Sequence, residues 1–196
     1  MKSIYSPIRT LLTAILFATA LPALAVSANI TDQESSDSNT RMATFGQSDL
    51  AQSFKQFADN VSGAGIYLLA DPEESANVTI ELWSKLPNQG GSLMAGGSAL
   101  GVGQGWVDVF WAPVTVTPGI TYFLVFSGPP AVALAGSTLN PYPDGQTFAN
   151  SGFGSFPNFD YTFRTFTAAV PEPATWASMM GGLAVLGLLA ARRRRA

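Results

Sequence analysis

Cysteine and histidine are both absent from the 196 residues. Without them there is no disulfide framework and no thiol chemistry. Ser-His-Asp and Cys-His catalysis and the common zinc and copper sites are excluded as well, because each needs an imidazole or a thiolate. Export to an oxidising compartment is permitted by the missing thiols but not demanded. Charge is also scarce, at 12% of residues against 47% apolar. That proportion suggests a membrane until position is considered, because much of the apolar content lies in two terminal segments. Between residues 29 and 169 only Arg41, Lys55, Lys85 and Arg164 are basic against twelve acidic residues, a net charge of −8. Such a surface argues against nucleic acid or anionic lipid as a partner. Carboxylates, Tyr, Lys and Ser are what remain for catalysis, and the reading is of a protein that is not an enzyme.

The first segment has a basic start at Lys2 and Arg9, an apolar run "TLLTAILFATAL", and small residues at Ala23-x-Ala25 or Val26-x-Ala28. This is the layout of a secretory signal, shorter than the roughly 20 residues a bilayer span needs. Residues 1–28 are therefore expected to be a signal peptide cleaved after Ala25 or Ala28, with the Sec translocon and signal peptidase as partners. Residues 29–41, polar with three carboxylates, are expected to form a flexible acidic leader.

At the other end, residues 176–191 are sixteen uncharged residues followed by Arg192, Arg193, Arg194 and Arg195. At ~1.5 Å per residue a helix of that length rises roughly 24 Å, just short of a ~30 Å hydrocarbon core. A single transmembrane helix over 174–191 is expected, with Trp176 at one interface and the arginines on the cytoplasmic side. Gly181, Gly182 and Gly187 weaken it as a permanent anchor. Pro171-Glu172-Pro173 is expected to be an extended strip outside the membrane. The order "VPEPATW", oily helix, arginine cluster over residues 170–196 resembles the PEP-CTERM tail of Gram-negative bacteria. That resemblance implies recognition by an exosortase, a membrane enzyme with a catalytic cysteine, reading Pro171, Glu172 and Pro173. It also implies a single-pass inner-membrane intermediate with the domain outside, then the cell surface or extracellular matrix.

Residues 42–168 read as one all-β domain. "NVTIELWS" alternates cleanly, Val78, Ile80 and Leu82 against Thr79, Glu81 and Trp83. Residues 65–70, 105–111, 120–126 and 159–166 are similarly strand-like, separated by Pro- and Gly-rich turns, which points to an antiparallel sandwich. The glycine-rich residues 90–105 read as a hairpin region with a bulge and not a phosphate site. "SDLAQSFKQFADN" is ambiguous, its Leu50, Phe54 and Phe57 slightly favouring a helix on pattern alone. Gln52-Ser53-Phe54, Val78 to Trp83, Gly105 to Val109, Pro113 to Tyr122 and Asp160 to Thr165 resemble, in order, the strand motifs of surface β-sandwich domains found ahead of cell-wall or PEP-CTERM anchors. That resemblance implies a strand around Phe54 and a jelly-roll fold, but no activity.

Two Trp-carboxylate pairs share strand faces, Glu81 with Trp83 and Asp108 with Trp106, the kind of grouping that holds a sugar ring. Tyr142 and Phe153 are expected as exposed aromatics, Tyr142 joining the possible glycan contacts. Asp144, Asn158 and Asp160 offer oxygen ligands for calcium, although turn chemistry explains Asp144-Gly145 and Asn140-Pro141 without a metal. No cofactor is otherwise implied. Phe163 is expected inward, and Arg164 is expected to pair with Asp108 or Asp160, the alternative being a solvated strand residue. The resulting expectation is a structural or adhesive surface protein of a biofilm matrix, in contact with exopolysaccharide. A lectin-like module is the alternative, and a polysaccharide-active enzyme ranks last.

Overall fold

The computed structural model describes residues 29–38, 40–169 and 173–193. In chain order the strands are β1 (Asn29–Ser35), β2 (Thr40–Thr44), β3 (Leu50–Lys55), β4 (Asn60–Leu69), β5 (Ser75–Trp83), β6 (Leu93–Val102), β7 (Gly105–Thr115), β8 (Thr121–Ser127), β9 (Ala133–Ser137), β10 (Gln146–Ala149), β11 (Gly154–Phe156), β12 (Asp160–Tyr161) and β13 (Phe163–Ala168). A short 3-10 turn, Pro87–Gln89, precedes β6, and helix α1 (Pro173–Arg193) follows β13.

The strands form two sheets, and every pairing is antiparallel. The first runs β1-β13-β4-β9-β12, with β7 on the other side of β4 and β2 on β9; the second runs β11-β10-β3-β8-β5-β6. Alternation along the strands explains the core between them. Val78, Ile80 and Leu82 of β5 and Tyr122, Leu124 and Phe126 of β8 are buried from one side. Ile66 and Leu68 of β4, Val107 and Val109 of β7 and Phe163 of β13 are buried from the other. Each such side chain contributes roughly 1.5–3 kcal/mol on burial, so this layer dominates the stability. The sequence-predicted β-sandwich and the inward Phe163 both hold.

The ambiguous segment is strand β3, not helix. Its alternation is hidden because both faces are covered: Leu50 and Phe54 enter the main core, while Ala51 joins a second cluster with Leu86 and Phe148. Phe123, Val125 and Phe153 pack on that cluster, so Phe153 is not the exposed aromatic expected from its loop. Residues 90–105 supply β6 and the turn into β7, and the β5–β6 ladder carries a register shift between Leu82 and Trp83.

The flexible leader is corrected. Residues 29–35 are β1, paired with β13 from Asn29 opposite Ala168 to Ser35 opposite Phe163. The strand is held by polar groups in place of apolar ones, which is why its composition reads as disorder. Gln33 is buried, its backbone N–H donating to Thr165 Oγ1 and its Oε1 accepting from Tyr142 Oη at 2.9 Å. Asp32 accepts from the backbone N–H groups of Phe57 and Ala58 at 2.8 and 3.1 Å.

A helix is present where the membrane segment was expected, over 174–191. Helix α1 forms over Pro173–Arg193, yet among the described residues no helix is long and apolar enough to cross a membrane. Pro173 is the first helical residue and not part of an extended strip, as suits a residue with no amide hydrogen to satisfy. The signal peptide over 1–28 and the expectations for Pro171, Glu172, Arg194 and Arg195 lie outside the described residues.

Candidate functional site

The outer face of the first sheet carries Trp106 and Asp108. Across β7, β4 and β13 the register sets Asp108 beside Gly65 beside Arg164, and Phe110 beside Gly63 beside Phe166. Gly65 and Gly63 matter here because they have no side chain. A Cβ on Gly65 would collide with Asp108 Oδ1, and one on Gly63 would lie 2.6 Å from the Phe110 ring. Side chains of β7 and β13 therefore meet directly over β4. Arg164 Nε donates to Asp108 Oδ1 at 2.8 Å, and Nη2 donates to Oδ2, forming a forked ion pair. The guanidinium carbon sits 4.2 Å from the Trp106 ring centroid and 5.3 Å from that of Phe166. Tyr67 meets Trp106 edge-on at 5.5 Å.

This assembly meets the expectation that Arg164 pairs with Asp108, and it removes Asp108 from the groups free to hold a sugar. A planar fork clamped on a carboxylate and stacked on an indole is not replaced by a point charge. Arg164→Lys is expected to lower the unfolding free energy by about 1–2 kcal/mol, above the usual value of an exposed pair. Urea denaturation measures this; an unchanged midpoint would make the pair ornamental.

Glu81 and Trp83 lie on the outer face of the second sheet, away from Trp106. Trp83 Nε1 donates to Glu81 Oε2 at 2.9 Å, so carboxylate and indole satisfy each other and only the ring face remains for a ligand. Tyr142, expected exposed, is buried, with 8% of its surface accessible. Its ring packs edge-on against Phe163 at 5.1 Å. Its hydroxyl donates to Gln33 and accepts from the Lys55 amide at 3.1 Å. Burial pushes that hydroxyl up to about 12, so it stays a donor at any physiological pH. The five candidate glycan residues are thus divided among two outer faces and the interior.

Two of the three calcium candidates are similarly employed. Asp160 is fully buried and accepts from Gln52 Nε2 at 2.9 Å and from the Tyr142 amide at 3.0 Å. Asp144 pairs with Lys55 at 2.7 Å at the surface. Asn158 is exposed in the turn before β12. Among the described residues no three His, Cys, Asp or Glu side chains are grouped to hold a metal.

At the junction with the tail, the sandwich is closed by residues that no sequence pattern singles out. Asn60 Oδ1 accepts from the Ala168 amide at 2.9 Å, fixing the last residue of β13. Ser62 Oγ donates to Asn29 Oδ1 at 2.7 Å, fixing the first residue of β1 opposite it. Both chain ends of the sandwich are therefore pinned to β4, and α1 begins at Pro173, beyond the clamp. Covalent events before Asn29 or after Ala168 leave every strand pairing intact.

No curated protein and no solved structure matched the chain. Residues 169–195 match the PEP-CTERM protein-sorting motif, the tail of exported proteins that exosortase sorts.

Proposed function

We propose that this chain is an exosortase substrate whose β-sandwich is carried across the inner membrane and left at the cell surface or in the extracellular matrix, in a structural or adhesive role against exopolysaccharide. The motif match over residues 169–195 carries this reading. The pinned ends of the sandwich support it, because signal removal before Asn29 and tail processing after Ala168 would both spare the domain. On this account the tail holds the membrane until it is processed, Gly181, Gly182 and Gly187 making it a weak lasting anchor. The strand order supports a jelly roll: with β2 and β9–β12 set aside, β1-β13-β4-β7 faces β3-β8-β5-β6, as in two wound Greek keys.

Glu172→Ala tests the sorting claim, since it leaves the helix and arginines untouched. Membrane engagement is expected to persist while processing fails and unprocessed protein accumulates. A variant that matures like the parent, judged by mass, contradicts the role of Pro171-Glu172-Pro173. A lectin-like reading is favoured by one observation, the half-exposed Trp83 ring oriented by Glu81. A glycan array run with and without calcium separates defined affinity from general adhesion.

A further inference from the structure

Edge strands expose a row of unpaired backbone donors and acceptors, and natural sheets blunt them by shortness, charge or proline. Among the described residues, five of the six strands that end a sheet follow that rule. β11 has three residues and β12 has two. β1 carries Asp32 and Glu34, β2 carries Arg41, and β7 carries Asp108 and Pro113. β6, which ends the second sheet, does not. It is ten residues long, LMAGGSALGV, with no charge and no proline. Leu93, Leu100 and Val102 expose 53%, 68% and 64% of their surface on this one strand.

We propose that β6 is a self-association edge, pairing antiparallel with β6 of a second copy of this chain. The row of backbone groups calls for a strand, and the charge pattern points to a second copy. A domain carrying −8 repels its own kind over most of its surface. At β6 ten consecutive residues carry no charge, so two copies meet there without opposing carboxylates. The geometry is self-complementary. A two-fold axis normal to the sheet at Leu100 keeps outer face joined to outer face. It sets Leu100 against its counterpart and Val102 against Ser98 in both directions, covering the most exposed large apolar side chain of the strand. The two six-stranded sheets then run on as one. This pairing is independent of the sorting tail.

The absence of cysteine supplies the test, because one introduced thiol is the sole thiol. The full chain in mild detergent, carrying Leu100→Cys, is oxidised gently and run on a non-reducing gel beside Leu139→Cys, a loop position 76% exposed. Disulfide-linked dimer is expected at least roughly tenfold in excess for Leu100→Cys, because the axis brings the two residues within bonding reach. Sedimentation velocity on Leu100→Lys, which sets two ammonium groups face to face, is expected to show self-association weakened by at least roughly tenfold. Equal cross-linking at the two positions, a parent that is monomeric across the concentration series, or an unchanged association constant for Leu100→Lys overturns the proposal.

Discussion

Phe163→Ala is expected to lower the unfolding free energy by about 3–5 kcal/mol, a large fraction of the 5–15 kcal/mol typical of a domain. Phe163 is fully buried, with Tyr142 edge-on at 5.1 Å and Phe54 at 6.5 Å. The cost of such a truncation depends on how far the neighbours can collapse into the space. Tyr142 cannot follow, because its hydroxyl is tied to Gln33 and Lys55 and its amide to Asp160. Phe54 is held within the β3–β8 ladder opposite Tyr122. The cavity should therefore stay open and the loss fall in the upper part of the range. Phe57→Ala, at a position 66% exposed, should change stability by less than about 0.5 kcal/mol. Urea melts at constant slope measure both. A Phe163→Ala midpoint near the parent's would put Phe163 outside the core and undo the β13 register.

Gln52→Leu is the second large effect, expected at about 3–5 kcal/mol near neutral pH. The substitution keeps apolar volume but strips four partners at once. Gln52 Nε2 donates to Asp160 Oδ1 and to the Ser53 carbonyl, and its Oε1 accepts from Thr147 Oγ1 at 3.1 Å and the Tyr161 amide at 2.9 Å. The consequence for Asp160 is pH-dependent. Burial raises its pKa above the ordinary 3.8, and the hydrogen bonds from the Tyr142 amide and Gln52 pull it back down. A carboxyl whose folded pKa lies above the unfolded one binds its proton more tightly when folded. Stability from it is then full below the unfolded value and declines as pH rises through the folded one. Removing Gln52 pushes the folded value further up and widens that window. The deficit of Gln52→Leu relative to the parent is therefore expected to grow from acid to neutral pH, by more than about 1 kcal/mol between pH ~3 and ~7. Denaturation at the two pH values measures it. An equal deficit at both would remove the Asp160 charge from the account.

How legible these features were in the sequence depended on what kind of force made them. Apolar alternation in β5 and β8 was plain, since each has one buried face, and it located the core correctly. β3 was not plain, because a strand buried on both faces loses its period and Leu50, Phe54 and Phe57 imitate a helix. β1 was invisible for the opposite reason. Its place is set by Asp32, Gln33 and the backbone ladder, and polar residues satisfied by distant partners look the same in sequence as residues satisfied by water. Arg164 with Asp108 could be foreseen by type, one cation facing many carboxylates, but the stacking on Trp106 required the register that two glycines of β4 allow. Tyr142 was misplaced because Pro141 and Pro143 marked a loop, and loop position says nothing of where a ring points. The sorting tail was the most legible part, being a local signal read along the chain and not assembled by folding.

The intact mass of the protein recovered from the envelope or medium, with and without an exosortase in the producing cell, tests the central claim most directly. The account predicts a chain starting at Val26 or Asn29 in both hosts, and a C-terminus lacking Arg192, Arg193, Arg194 and Arg195 only where the exosortase is present. The same mass from both hosts, with the four arginines retained, would contradict it.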